Sequence, residues 1–463
     1  MRTQLKIRLA TTLAAGAVAL LPAAAQATST PEQIAEAASK GTTYMKSLQE
    51  TSGAIPGFGG DWTLTSLAAD GDAAANVKKK AKSTDARTWY RELVGNTASW
   101  PEGASPPVSE YERAALVAYA AGIDPARVSK TQNLIAQIVA HYQPESPGYY
   151  GEPGLFNGTV FGLLALEDAK TTSGARRVPQ ALLNESVAVV LANQHADGGW
   201  SYAKVAGEAK GLESAAEPDM TGAAIASLCG AGVSSGSEAV LAAKTYLKGL
   251  LVTASGAFES PFGANTDSTA WAVEGLKACS IDPQSEFTTS AGKTPVDFLI
   301  SQQLKAGSFK YLASEKTANE YASQDAVRAL AGAGFTTTPP EPSEGLERWF
   351  AETSFSSSPT VQSIVTLVVE SGSSPLSPCA VKIAPAASTT TLAAVLEAAK
   401  SAATPSGCAA SFSSEGSGAI TQINGYPTSP EARWHVSIDG APEAQAKSST
   451  AIHLGDTIYV RFS

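Results

Sequence analysis

Asp219-Met220-Thr221-Gly222-Ala223-Ala224-Ile225 and Asp267-Ser268-Thr269-Ala270-Trp271-Ala272-Val273 decide how this chain folds. Each stretch places small or apolar residues on nearly every face of a helix, which predicts a helix enclosed by neighbours. Glu110-Tyr111-Glu112-Arg113-Ala114-Ala115-Leu116 reads the same way. Segments of this kind begin near Asp61, Glu110, Asn157, Asp219, Asn265 and Asn319 and recur roughly every fifty residues. Amphipathic segments precede them, most clearly at 34–48, 131–142, 182–194, 239–251 and 296–303. Their polar faces suit an outer shell. Six inner and six outer helices in alternation predict a mainly α fold, a closed (α/α)6 toroid over residues 28–340. An open solenoid would leave apolar faces bare at both ends.

Outward from the repeats, the two ends of the chain read differently. Residues 1–27 read as a signal peptide. Arg2, Lys6 and Arg8 precede an apolar run at 9–21, and Ala25-Gln26-Ala27 supplies small residues for cleavage. The apolar run is too short to span a bilayer, so the expected location is secreted and extracellular, with no membrane insertion. Thr336-Thr337-Thr338-Pro339-Pro340-Glu341-Pro342 is too stiff and polar for a helix. It leads into an expected linker at 341–358. A small α+β domain is expected at 359–463. Strands are predicted at 363–370, 380–383, 433–440 and 457–462, with one amphipathic helix at 390–402.

The chain holds 33 Lys+Arg and 43 Asp+Glu. Its first 27 residues carry three bases and no acid, so the remainder has a net charge of −13. Such a surface repels nucleic acid, which is excluded as a partner. Four Cys in an exported chain predict two disulfides. Cys379 with Cys408 falls within the tail, and Cys229 with Cys279 joins matching places in neighbouring repeats; the sequence leaves the pairing open.

The Gln194-x-x-Asp197-Gly198-Gly199-Trp200 segment and the Asp-x-Thr inner helices resemble those of terpene cyclases, protein prenyltransferases and the transcobalamin/intrinsic factor family. The tail is similar to the small C-terminal domain of transcobalamin-like proteins. A helix after the second strand, Trp434 in a late strand and the Gly455-Asp456 turn carry that likeness. The pairing of the two domains points to the transcobalamin branch. The resemblance implies a binding protein that holds a corrinoid such as cobalamin, or another amphipathic small molecule, between toroid and tail. Asp219 matches the family's inner-helix Asp, Asn265 its Asn-x-x-Ser-Thr opening, Gln324 its Ser-Gln pair and Trp434 its late-strand Trp. Trp271, on the Asn265 helix, joins these expected ligand contacts. Neutral amides of such a ligand suit Asn, Gln and Asp, which offer donors and acceptors. The His that some members place before the Asp is absent from Glu213-Ser214-Ala215-Ala216-Glu217-Pro218, so cobalt ligation by the protein is not implied.

Other chemistries find less support. Polyene cyclisation needs a buried strong acid within an Asp-rich run, and no Asp-x-Asp-Asp run exists. A catalytic zinc needs converging Cys, His and Asp. His141, His195, His435 and His453 are scattered, and no metal site is expected. Toroidal glycoside hydrolases use paired carboxylates across the mouth. Glu110, Glu112, Asp219, Asp267 and Asp325 lie near inner-helix starts, where helix capping is the simpler role. Asn157 is expected to cap its own helix. No catalytic residue is assigned. A carbohydrate-active or cyclase-like enzyme and a non-catalytic adhesion module remain the alternatives.

Overall fold

The computed structural model describes residues 28–57, 59–95, 106–143, 145–152, 154–171, 174–205, 215–337, 363–372, 374–383, 390–401, 408–409 and 411–463. The expected signal peptide and linker lie outside the described residues. In chain order the first helices are α1 (Pro31–Leu48), α2 (Thr63–Ala69), α3 (Ala86–Gly95), α4 (Val108–Ala120), α5 (Leu134–Ala140), α6 (Asn157–Glu167) and α7 (Gln180–Ala192). They are followed by α8 (Pro218–Gly230), α9 (Glu238–Gly249), α10 (Thr266–Ala278), α11 (Pro283–Glu286), α12 (Pro295–Ser301) and α13 (Glu320–Ala331).

Helices α2, α4, α6, α8, α10 and α13 pack side by side in that order, and α13 returns to α2, which closes a ring. Helices α1, α3, α5, α7, α9 and α12 pack outside it. Burial follows the patterning. Helix α8 buries Met220, Thr221, Gly222, Ala223, Ala224, Ile225, Ala226, Ser227 and Leu228 in succession. Amphipathic α9 buries only Val240, Ala243 and Leu247.

The seam between α8 and α10 is the tightest in the ring. A Cβ on Gly222 would lie 2.2 Å from the Trp271 carbonyl oxygen, and one on Gly275 would lie 2.2 Å from that of Gly222. Only glycine lets two helix backbones meet this closely. The Cys229–Cys279 disulfide, with Cα atoms 5.3 Å apart, ties the C-terminal ends of the same pair.

Two inner helices start on side-chain caps. Asn265 Oδ1 accepts from Ser268 N at 2.8 Å, and Asn319 Oδ1 accepts from Ala322 N at 3.0 Å. Asn157 does not cap α6. It is the first helical residue, after Phe156, and no side chain caps that end. The acids do not cap either: Glu110, Asp219 and Asp267 sit in first turns, where the helix dipole favours them.

The tail contains β1 (Ser363–Glu370), β2 (Ser377–Ile383), β3 (Thr390–Thr391), α14 (Leu392–Ala399), β4 (Phe412–Ser414), β5 (Ile420–Ile423) and β6 (Tyr426–Pro427). It ends with β7 (Trp434–Ile438), β8 (Ala444–Gln445), β9 (Ala451–Ile452) and β10 (Thr457–Phe462). The main sheet has the order β2-β1-β10-β7-β8, with β1 and β10 parallel. Strand β1 is buried on both faces, which explains why its apolar residues do not alternate with charged ones and only Thr366 interrupts them. Val365, Leu367 and Val369 join the tail core beside Leu392, Val395 and Leu396 of α14. Val368 joins the toroid core. The Cys379–Cys408 disulfide closes within the tail core.

The tail docks against α5 and the loops that follow α4 and α6. Asn133 Nδ2 donates to Ile364 O at 3.2 Å. Arg127 pairs with Asp439 at 3.2 Å and Asp456 at 3.3 Å, while Arg177 bonds Asp439 and pairs with Asp124 at 2.7 Å. Gly455 presses on the chain at Ala126: a Cβ there would stand 2.5 Å from Ala126 O. The tail therefore sits at the end of the ring where inner helices finish.

Candidate functional site: a cavity in the toroid

A cavity of about 690 Å³ lies among α3, α4, α6, α10, α13 and the residues that lead into α2. Its wall is formed by Gly57, Gly59, Gly60, Asp61 and Trp62, by the outer helix α3, and mainly by the first halves of the inner helices α4, α6, α10 and α13, so it belongs to the end of the ring where those helices begin. The tail is at the other end and contributes none of the lining residues. This cavity is therefore a different place from the cleft between toroid and tail that the resemblance implies.

The lining is largely apolar. Trp62, Trp89, Phe161, Trp271 and Tyr321 bring rings to it, with Ile55, Leu93, Val94 and Leu116 between them. Trp271 packs edge-on against Phe161 at 5.7 Å and against Phe335 at 5.1 Å. Phe335 follows α13 and is 1% exposed, so these three rings fill the ring's interior below the cavity.

Two arginine–carboxylate triads hold the wall. At the rim, Arg113 Nη1 donates to Asp61 Oδ1 and Oδ2 at 2.7 and 2.6 Å, and Nη2 donates to Glu110 Oε2 at 2.5 Å. Deeper, Arg328 is fully buried, donates to Glu274 Oε2 at 3.2 Å and Thr65 Oγ1 at 3.1 Å, and bonds Asp325 Oδ1. Its guanidinium lies 4.8 Å from the Trp62 ring centre, a cation–π contact. Asp325 Oδ2 accepts from Trp271 Nε1 at 3.0 Å, which fixes that ring in the wall. Two acids share each arginine. Burial raises Glu274 to about 8 despite the opposing pull of Arg328.

Glu112 lines the cavity with both oxygens unpartnered and 1% of the residue exposed. Burial alone pushes its carboxyl well above the usual range, which favours the uncharged form. Beside the same end of the ring, burial and then Asp325 and Asp219 raise Asp267 to about 8. Glu217 rises to about 7 through burial and Asp219. Among the described residues, no group of three or more His, Cys, Asp and Glu is placed to hold a metal ion.

The residues singled out by resemblance separate on inspection. Trp271 lines the cavity. Gln324 is buried, and its Nε2 donates to Gly59 O and Thr63 Oγ1, both at 3.0 Å, so it braces the rim loop. Asn265 is fully buried, with Nδ2 donating to Ser260 Oγ, Gly263 O and Ser268 Oγ, which leaves no free amide proton for a ligand. Asp219 keeps a buried, unpartnered Oδ1 at the start of α8, outside the cavity lining. Trp434 is fully buried in the tail core and donates Nε1 to Tyr426 O at 3.0 Å. Asp61, Arg113, Trp62, Trp89 and Tyr321 were not anticipated as lining. One signal was available: Glu110–Arg113 and Asp325–Arg328 place a base three residues after an acid inside segments that are mostly buried.

No protein-family model matches the chain, and no curated protein matches it. Among solved structures, the type II terpene cyclase MstE from Scytonema (apo) is 14% identical at a TM-score of 0.44, covering 65% of this chain and 98% of that one. Haptocorrin in complex with Cbi is 14% identical at a TM-score of 0.34, covering 94% and 96%. A glycosidase variant in complex with glucose is 13% identical at 0.42, covering 65% and 96%. Their kinds coincide with the superfamily and tail resemblances and single out no member. At these scores they carry no argument about what this protein binds or does.

Proposed function

We propose that this protein binds a largely apolar small molecule inside its toroid. The observation that carries the reading is the aromatic-walled cavity of about 690 Å³. Concave, mostly apolar sites with a few fixed polar groups are where small ligands bind. A filled interior would have favoured adhesion instead. A corrinoid is the narrower form of the proposal and rests on the sequence resemblance. The amides of Asn265 and Gln324 serve the protein's own backbone, which favours an apolar ligand body over an amide-fringed one.

The test is titration with Nile red, an uncharged apolar dye, followed by its emission. A blue-shifted, saturable signal is expected, weakened in Asn157→Trp, which puts an indole into the lining. No shift, or equal binding by Asn157→Trp, would count against the cavity. Cobalamin, followed by the visible spectrum in parallel, decides the corrinoid form. A second reading is hydrolysis, favoured by Asp61 and Glu110 meeting at the rim. Both carboxylates are spent on Arg113, so neither is set as acid or base, and this reading stands second.

A further inference from the structure

The rings of the cavity indicate an apolar body; its charged groups say what else the ligand carries, an inference that rests on the lumen being the binding site. The lining includes four carboxyls, on Asp61, Glu110, Glu112 and Asp325, against the single guanidinium of Arg113. Arg328 answers Asp325 from behind. Arg113 is paired with Asp61 and Glu110 together, which leaves the rim one negative charge in excess. Glu112 adds an unpartnered buried carboxyl in the wall, a hydrogen-bonding group rather than a charge. Glu315 and Glu320 stand at the same end of the ring and add to that excess, whereas burial holds Glu217, Asp219 and Asp267 toward their uncharged forms. The cations nearby, Lys310 and Lys316, belong to the loop before α13 and do not line the cavity. A concave site walled by low-dielectric rings concentrates such a field. The faces of Trp62, Trp89, Trp271 and Tyr321 add the quadrupole that attracts cations.

We infer that the cavity selects an apolar organic cation, of the ammonium or pyridinium kind, and disfavours carboxylates, sulfonates and phosphates. The rim triad is the selecting element: Asp61 and Glu110 mask Arg113, so an anion finds no free partner there.

Three probes on one three-ring frame test this: 10-methylacridinium as cation, 9-methylanthracene as neutral and anthracene-9-carboxylate as anion. Fluorescence titration of the intact protein should rank cation above neutral above anion, each step about tenfold for one unit of charge near the rim. Raising salt from about 20 mM to about 500 mM should weaken the cation and leave the neutral probe unmoved. In the double variant Asp61→Asn, Glu110→Gln the guanidinium is unmasked, and the order of cation and anion should invert. Equal binding of all three, or an anion that binds best to the unaltered protein, overturns the charge assignment while leaving the cavity as a binding site. Failure of all three together with silence of Nile red removes the cavity itself. The salt series needs no variant, so misfolding of the double variant cannot shield the inference.

Discussion

Gly222→Ala is the sharpest probe of why the ring closes as it does. The added methyl would stand 2.2 Å from Trp271 O, 2.6 Å from Trp271 C and 2.9 Å from Ala272 Cα, all backbone atoms of α10. Contact at about 3.5 Å is the comfortable distance, so the two helices must part by roughly 1 Å. A gap of that size forfeits a quarter to a half of each dispersion contact along the seam. Overpacking of this kind costs about 1–3 kcal/mol, and a clash with backbone belongs at the upper end. Alanine returns about 1 kcal/mol through better helix propensity. The net expectation is a loss of about 2 kcal/mol. Urea unfolding without reductant, followed by tryptophan fluorescence and far-ultraviolet circular dichroism, measures it. Gly249→Ala serves as the control, since a methyl there meets nothing within 4 Å. If Gly222→Ala unfolds at the same urea concentration as that control, the close-packed seam does not govern stability.

Four further outcomes follow from the wall and the docked tail. Arg328→Met strands Glu274 and Asp325 in a fully buried place, and a loss of about 3–5 kcal/mol is expected by the same urea assay; a loss under 1 kcal/mol would contradict the triad's role. Glu112→Leu removes a lone buried carboxyl, so a gain of about 1–3 kcal/mol is expected, and destabilisation would show an unseen partner. Asp267 is raised to about 8 from an unfolded value near 3.9. Its stabilising contribution is therefore complete below about pH 4 and is lost as pH rises through 8. Asp267→Asn should make the fall of melting temperature between those limits shallower, Glu274 and Glu217 supplying the remainder, and an unchanged slope refutes the assignment. Gly440→Ala would set a Cβ against the Arg176 carbonyl in a left-handed conformation. Limited proteolysis should then release the tail faster than from the unaltered chain.

The architecture was legible because period and burial agree. All-round apolarity at 219–228 and one-sided apolarity at 239–247 separate inner from outer helices without any contact being known. Strands 363–370 and 457–462 emerge with the bounds read from β-branched density. The outer helix Ala86–Gly95 was less visible, since Lys78, Lys79, Lys80 and Lys82 crowd its approach in an exposed turn-rich loop. The site was far less legible. Hydrogen-bonding types such as Asn265 and Gln324 look the same in sequence whether they face a ligand or their own backbone. Only the coordinates show their protons already taken. Lining residues such as Trp89 and Tyr321 come from elements far apart in the chain, and no local pattern joins them. The docking side of the tail was equally hidden, because it depends on Asp439 and Asp456 meeting Arg127 and Arg177 across hundreds of positions.

A ring stiffened on one arc must yield on another. Helices α8 and α10 touch through bare glycine backbone and are cross-linked by Cys229–Cys279, so they move as one plank. Across the hoop, the short α2 is packed against α13 and α4, and the cavity lies beside it, against the residues that lead into it, α3 and α4. A guest in this cavity therefore lies in the sector of Trp62 and Arg113 and meets the cross-linked pair only at Trp271.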